Sequence, residues 1–504
     1  MRKFEVALTT RQYEKYLGQI WNKCFKVLDD IKDSVRVAAA SLARVLTGIL
    51  TRSLEAGESS MKNASAMLEH VLPFLLSTSG LESSAEEVQA FALTTLLQII
   101  KKSNGKTLRP FIPELVERLL GLLSSLEPQA VNYIHLNASK YNLTEQKIDD
   151  MRLASVRGSP LMESIERCLD LLDDDTMKQL VPRIESAIKN AVGLPSKVGC
   201  SRILVTLSTR HSFLFTPYAD SFLKLIEKSI HDRNETVSSS YGAAAGYVAR
   251  IASDKQILAT AGFCKRLYFE SDDDRSRLAA GDIVLAVSKH APDRFAALAA
   301  TLLPFVFVAK HDSHPHVRQL FADTWAEHAA GARAVLLYVA EIVALALLHL
   351  DSPRWVLKHT AARAVADAVV SIAAAGDEIS RQNAEVVWPA LDKAMGGKTW
   401  EGKEVVLEAF VKFVEKGRLL WGVDKGVGAH VQKVAVREAK RQNKAYRPFA
   451  LRALGQVARA REDLNMSEVV CEIVGGVVEE LVSNQDGDKM EVDGGEDIAK
   501  DPAT

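Results

Sequence analysis

One rhythm constrains this chain more than anything else in it. A helical stretch gives way to a short turn carrying an aspartate, and five residues later a valine or its substitute opens a second helix. Asp30, Val35, Arg36 and Ala40 set the pattern, and Asp232 with Val237 repeats it. Asp312, Val317, Arg318 and Ala322 repeat it with the arginine, and Asp351, Val356 and Ala361 follow. Val198 to Val237 is 39 residues, Val237 to Arg277 is 40, Arg277 to Val317 is 40, and Val317 to Val356 is 39. A unit of about 40–47 residues built from two or three helices is the mark of HEAT and armadillo arrays. The rhythm therefore predicts an all-α solenoid, a superhelix of antiparallel helix pairs.

The pattern has a physical reading. An aspartate in the turn is expected to cap the second helix by accepting from its free N–H groups, at the positive end of the helix dipole. The valine is expected to face the first helix. The arginine is expected to reach the aspartate of a neighbouring turn, giving a ladder of polar contacts.

About ten pairs and a closing helix are predicted. They fall near 11–54, 60–103, 108–172, 174–211, 216–252, 254–290, 293–329, 331–374, 379–418 and 424–461, with the closing helix at 466–483. The third pair carries a polar insertion at 128–158, in which Thr144 heads a short capped helix. Amphipathic spacing is clear in Phe222, Leu223, Leu225 and Ile226. Pro110, Pro113, Pro217 and Pro292 stand where helices are expected to start, a position that tolerates the missing N–H. The solenoid is expected over 1–483. Residues 484–504 are acidic, contain glycine and have few apolar residues, so they are expected to be disordered.

At 504 residues the chain exceeds what one hydrophobic core usually supports, which suits a repeat array. Aromatics are only 7% of it while small and aliphatic residues abound, as interdigitating helices prefer. A net charge of −1 gives no overall pull toward nucleic acid, and no nucleic-acid partner is expected. The stretch 332–350 is strongly apolar but carries Arg333 and Glu341, so it reads as a buried solenoid helix and not as an integral membrane segment. The N-terminus has no continuous apolar run of the kind a signal peptide needs. Cys24, Cys168, Cys200, Cys264 and Cys471 are far apart and form no CxxC pair; each is expected to be a small buried side chain.

The chain offers little candidate chemistry: no residue reads as catalytic, cofactor-binding or metal-ligating. Gly397-Lys-Thr-Trp-Glu-Gly-Lys-Glu404 almost spells a phosphate-binding loop. It ends in Glu404 where that motif needs a hydroxyl for magnesium, and it has no preceding strand, so it reads as a turn between helices. His311, His314 and His316 cluster in a turn broken by Pro315, without a cysteine nearby. Asp173–Asp175 and Asp272–Asp274 lack the alternation of a calcium loop. Arg437, Lys440, Arg441, Lys444 and Arg447 form a basic stretch with one aromatic residue, Tyr446, which is thin for base stacking and reads as a solvated helix face.

An ordered set of short motifs carries a family resemblance. Met151-Arg-Leu-Ala and Ser159-Pro-Leu-Met-Glu-Ser-Ile lead to Leu180-Val-Pro-Arg183 and Gly193-Leu-Pro-Ser-Lys-Val-Gly-Cys200. Thr216-Pro-Tyr218, His231-Asp-Arg-Asn234 and Gly397–Glu404 follow. Their order over about 125–415 resembles the C-terminal region of the proteasome adaptor and scaffold family of HEAT-repeat proteins. The resemblance implies contacts with the proteasome core and regulatory particles, a role in assembly surveillance and stability, and residence in cytoplasm and nucleus. It offers no catalytic residues. Members of that family are several times longer, so the chain is expected to be a C-terminal piece. A karyopherin-like transport receptor is the alternative, though such receptors are usually strongly acidic.

Overall fold

In a computed structural model, residues 11–28, 30–55, 61–83, 85–126, 129–329 and 331–490 are described. Among them there is no strand; every regular element is a helix. Helices of eight residues or more run in chain order. They are α1 (Arg11–Leu28), α2 (Asp33–Glu55), α3 (Met61–Leu75), α4 (Glu86–Lys102), α5 (Ile112–Leu122), α6 (Gln129–Leu136), α7 (Glu145–Arg157), α8 (Pro160–Asp170), α9 (Asp174–Asn190), α10 (Leu194–Arg210), α11 (Ala219–Ser229) and α12 (Glu235–Ala249). Then come α13 (Asp254–Phe269), α14 (Asp274–His290), α15 (Ala299–Ala309), α16 (Pro315–His328), α17 (Val339–Leu350), α18 (Trp355–Ala374), α19 (Arg381–Met395), α20 (Lys403–Lys416), α21 (Lys425–Ala439), α22 (Arg447–Ala460) and α23 (Ser467–Met490).

The chain forms two compact units, Met1–Cys264 with Lys289–Arg294, and Lys265–Ser288 with Phe295–Thr504. In the first unit α1 packs on α2 and α3, and α2 packs on α4. Next α5 packs on α8 and α9, α9 on α11, and α10 on α12. In the second unit α17 packs on α15, α18 and α19, α18 on α20, and α20 on α22. First helices thus stack on first helices and second on second, which is the HEAT and armadillo arrangement; each unit is a stretch of all-α solenoid. Each helix meets mainly its neighbours, so stability is close to a nearest-neighbour sum.

Composition explains the packing. In α18 the residues Ala361, Ala362, Ala364, Val365, Ala366, Ala368 and Val369 are all buried, because this second helix is covered by α17, α19 and α20. Alanine on so many faces lets neighbouring helices approach closely. Larger residues fill the layer between: Phe215 and Phe222 in the first unit, and Phe305, Phe307, Phe410 and Phe413 in the second, are fully buried. Each contributes on the order of 1.5–3 kcal/mol by burial.

The predicted helix starts at Pro110, Pro113, Pro217 and Pro292 hold. Four other prolines lie inside first helices: Pro73 in α3, Pro182 in α9, Pro304 in α15 and Pro389 in α19. Each removes one i to i−4 hydrogen bond and is a site for bending.

The apolar stretch 332–350 is not one helix. It breaks at Tyr338 into Ala332–Leu337 and α17, each too short to cross a bilayer. By length and composition alone α2 is long and apolar enough to do so. It carries Arg36, Arg44 and Arg52, and its face of Ala43, Leu46 and Leu50 is buried in a helix that packs on α1, α3 and α4. We read it as a repeat helix. The closing helix α23 extends to Met490, seven residues past its predicted end, and the remaining 491–504 lie outside the described residues.

The insertion holds two helices, α6 and α7. Thr144 Oγ1 accepts from Lys147 N at 3.4 Å, the expected cap. Helix α7 lies against α10, the second helix of the fourth pair. From there buried Asp149 reaches the turn of the fifth pair, accepting from Asn234 Nδ2 at 2.8 Å and Thr236 Oγ1 at 3.0 Å, with Arg152 at 3.5 Å. The insertion is therefore a strap across the second-helix layer. Asp149→Ala leaves those donors without their acceptor, a loss of about 1–3 kcal/mol. Amide exchange over 145–157 is expected to accelerate at least roughly tenfold while distant pairs keep their rates; unchanged exchange there would refute the strap.

Candidate functional site

The turns between paired helices hold most of the polar chemistry, and their design differs from expectation in one respect. Asp232 Oδ1 accepts from Asn234 N at 3.0 Å, and Asp312 Oδ1 from His314 N at 2.8 Å. These are turns two residues wide, so the aspartate sits ahead of the cap. The cap itself is Asn234, accepting from Val237 N at 3.0 Å, or His314, whose Nδ1 accepts from Val317 N at 3.5 Å. The short Asp side chain folds back on its own turn before it can reach the helix.

The ladder exists in part. Arg277 Nε lies 3.0 Å from Asp312 Oδ2 in the next turn, and Lys197 Nζ lies 2.5 Å from Asp232 Oδ2. Arg109 meets Asp173 at 3.3 Å. Elsewhere the arginine goes to backbone carbonyls: Arg363 Nη2 to Glu401 O at 3.3 Å, Arg437 Nη2 to Met395 O at 3.1 Å, and Arg441 Nη2 to Gly397 O at 2.6 Å. The register is tighter than the sequence spacing implied. Val237, Arg277, Val317 and Leu357 are buried at forty-residue steps, while Val198 and Val356 are only half-buried, each one residue out of phase.

The near-phosphate loop is part of this ladder. Gly402 has φ +101, and a Cβ there would lie 2.7 Å from Arg363 Nη2 and 2.9 Å from Trp400, so the position takes only glycine. Lys403, which a phosphate loop would aim at its ligand, is fully buried and lies 3.1 Å from the equally buried Glu438 Oε2. Glu438 also accepts from Arg441 Nε at 2.6 Å and Tyr446 Oη at 3.0 Å. Burial alone would push the Glu438 carboxyl up, but Arg441 and Lys403 outweigh it and hold the carboxyl below its usual range. Burial pushes the Lys403 ammonium down against the pull of Glu438. The loop thus ties the ninth pair to the tenth. The basic stretch is spent in the same way, since Arg437 and Arg441 are committed to Glu438 and to carbonyls of the preceding turn.

The other candidates resolve as turn residues. His311 sits 3.1 Å from Asp367 Oδ2, with burial lowering its affinity for a proton, and His314 is the cap described above. Asp173 accepts from Thr176 N at 3.0 Å and Oγ1 at 2.6 Å. Asp272 pairs with Arg354 at 3.2 Å, and Asp273 accepts from Arg275 N at 3.1 Å. Among the described residues no three His, Cys, Asp or Glu side chains gather as a metal site would require. Cys24, Cys168, Cys200 and Cys264 are buried, and burial pushes the Cys24 thiol up to about 11 and those of Cys168 and Cys200 to about 12. Cys471 departs from expectation and is exposed, on a face of α23 turned away from α22 among the described residues.

Of the resemblance motifs, Met151–Ala154 and Leu180–Arg183 lie inside α7 and α9, while 193–200 begins at a turn. Gly193 has φ +82, and a Cβ there would strike Ser124 Oγ at 2.3 Å. Ser124 Oγ in turn donates to Val192 O at 2.8 Å, accepts from Ser196 N at 3.2 Å and lies 2.9 Å from Ser196 Oγ. Arg183 Nη1 donates to Glu117 Oε2 at 2.6 Å, across from Glu82 and Arg118 at 3.1 Å. Those pairs rim a cavity of about 620 Å³ floored by Leu76, Leu120 and Cys200.

Stacked helix pairs joined by polar turns define a HEAT and armadillo-type repeat protein, a class that binds through extended surfaces. Two family models match: the HEAT-repeat domain of proteasome adapter and scaffold protein ECM29 over residues 108–269, and the C-terminal ARM-like repeats of ECM29 over residues 414–503. Relatives include proteasome component ECM29 of Saccharomyces cerevisiae, 32% identical over 80% of this chain and 22% of that protein. Proteasome component ecm29 of Schizosaccharomyces pombe is 30% identical over 88% of this chain and 26% of its own length. Proteasome adapter and scaffold protein ECM29 of Homo sapiens is 28% identical over 90% and 24%. The chain belongs to the ECM29 family. It spans about a quarter of the length of these curated relatives. Among solved structures, the karyopherin Kap121p bound to RanGTP resembles it with a TM-score of 0.42 and 16% identity, over 96% of this chain and 49% of that one. That likeness is too loose to carry an argument about function.

Proposed function

We propose that this chain is a non-enzymatic segment of a proteasome adaptor, contributing a surface that holds or surveys the assembly of core and regulatory particles in cytoplasm and nucleus. The observation that carries this reading is the pair of ECM29 family matches at both 108–269 and 414–503, supported by relatives named as proteasome components. The architecture suits the role, because a row of stacked helices can meet a large partner over many repeats, with modest contacts adding up. A scaffold also accounts for the near-phosphate loop, whose lysine is buried against Glu438 and serves packing. The karyopherin alternative is not favoured, since the sequence relatives are proteasome components.

The test is sedimentation of the purified chain with purified proteasome species. Comigration with the assembled particle is expected, with weaker comigration with each isolated subcomplex. Failure to comigrate with any of them would overturn the reading, and selective capture of a GTP-loaded small GTPase would move it to transport.

A further inference from the structure

We propose that the groove between the turn of the eighth pair (351–354) and the turn of the ninth (396–402) binds acidic peptide, and that its resident occupant is this chain's own segment 491–504. The groove encloses about 560 Å³. Its walls combine flat aromatic surface with unneutralised positive charge. Trp355 is 64% exposed at its mouth, and Trp400 stacks on His359 with ring centroids 3.9 Å apart. Lys358 and Lys398 line it, both exposed, and among the described residues neither has an acidic partner. Arg363 lies over the Trp400 ring at 5.3 Å. Burial and the like charge of Arg318 lower its hold on its proton, while Glu404, Asp312 and Glu401 raise it, so the free charge of the groove rests on Lys358 and Lys398. Of the groove's lysines only Lys393 is neutralised, by Asp351. Aromatic faces beside cations suit a chain of carboxylates with apolar residues between them.

The occupant is argued from three observations. Residues 491–504 read Glu-Val-Asp-Gly-Gly-Glu-Asp-Ile-Ala-Lys-Asp-Pro-Ala-Thr, five acids against one lysine, with Val492 and Ile498 as apolar anchors. Helix α23 heads toward the groove's edge of the stack. Arg461 Nη1 donates to Gly428 O at 2.7 Å near the start of α21, and Glu472 then meets Lys440 at 3.8 Å just past its end, the same end from which Arg441 reaches Gly397. Finally, 14 residues beyond Met490 reach at most about 46–50 Å when extended, ample for a return across neighbouring pairs. The nearest rival site, the basic stretch at 437–447, has its Arg437 and Arg441 already occupied.

The experiment uses the full-length chain with Glu491, Asp493, Glu496, Asp497 and Asp501 changed to their amides, and a fluorescein-labelled peptide of residues 491–504. The peptide is expected to bind this chain and to bind the unaltered chain roughly tenfold or more weakly, because the tethered copy competes at high effective concentration. Binding should weaken as salt rises. It should fall at least roughly tenfold with Trp355→Ala, and likewise with Lys358→Glu plus Lys398→Glu; all three side chains are exposed, so the variants fold. Trp355 fluorescence should shift on binding. Equal binding to both chains, no binding, or indifference to the groove variants would overturn the proposal. Tighter binding of a single-stranded oligonucleotide than of the peptide would overturn it in favour of nucleic acid.

Discussion

Asp312→Ala is expected to lower the unfolding free energy by about 3–5 kcal/mol, because it takes the buried carboxylate from a buried guanidinium and a buried phenol at once. Asp312 is fully buried, and Arg277, 4% exposed, lies 3.0 Å from it. Tyr268 Oη donates to the same carboxylate at 2.8 Å, from a ring packed edge-on against Phe269, Phe305 and Phe321. One substitution therefore removes the buried carboxylate beside the guanidinium, leaving it the exposed Asp274, and with it the acceptor of a buried phenol and the turn bond to His314 N. Asp312→Asn keeps an acceptor for Tyr268 and for the turn, so its loss should be clearly smaller, and the difference isolates the charge. Urea unfolding supplies the energies, and amide exchange should show the loss centred on 265–330. A loss under about 1 kcal/mol for alanine would mean that the turn ladder does not hold adjacent pairs together.

Glu438→Ala should destabilise by a similar amount, about 3–5 kcal/mol, whereas Lys403→Met should cost far less. The asymmetry follows from the partners. Without Glu438 the fully buried Lys403 faces no carboxylate and Tyr446 loses its acceptor; without Lys403 the carboxylate still accepts from Arg441 and Tyr446. The pH dependence has a definite sign. Glu438 binds its proton less readily folded than unfolded, so its stabilisation is present above the ordinary carboxylate range and is lost as pH falls through the lowered folded value. Stability curves of the parent chain and Glu438→Gln should therefore converge in acid. Equal losses for Glu438→Ala and Lys403→Met would show that the pair is not buried as described.

How much of this was legible in the sequence divides by range. The forty-residue step was readable because Val237, Arg277 and Val317 recur in register, and ten pairs with a closing helix followed from it. The phase error at Val356 arose because a valine stood beside buried Leu357, and type alone could not choose between neighbours; at Val198 the in-phase residue is Lys197, a half-buried cation in the place Arg277 holds in a later repeat. The turn aspartates were recognised, but the fold-back of a short side chain onto its own turn placed the cap two residues later. Long-range partnerships left no local trace. Nothing near Asp149 announces Asn234, 85 residues away, and nothing in the near-phosphate loop announces that Lys403 would turn inward to Glu438. Glu404 in place of a hydroxyl was the legible half of that answer. Exposure of Trp355 was equally silent, since a tryptophan at a helix start reads as core.

Cross-linking of the chain to the assembled proteasome, read by mass spectrometry, tests the central claim most directly. The account predicts cross-links from lysines on several successive repeats to subunits of both the core and the regulatory particle. Cross-links to neither particle, under conditions where the particle's own subunits cross-link to one another, would contradict it.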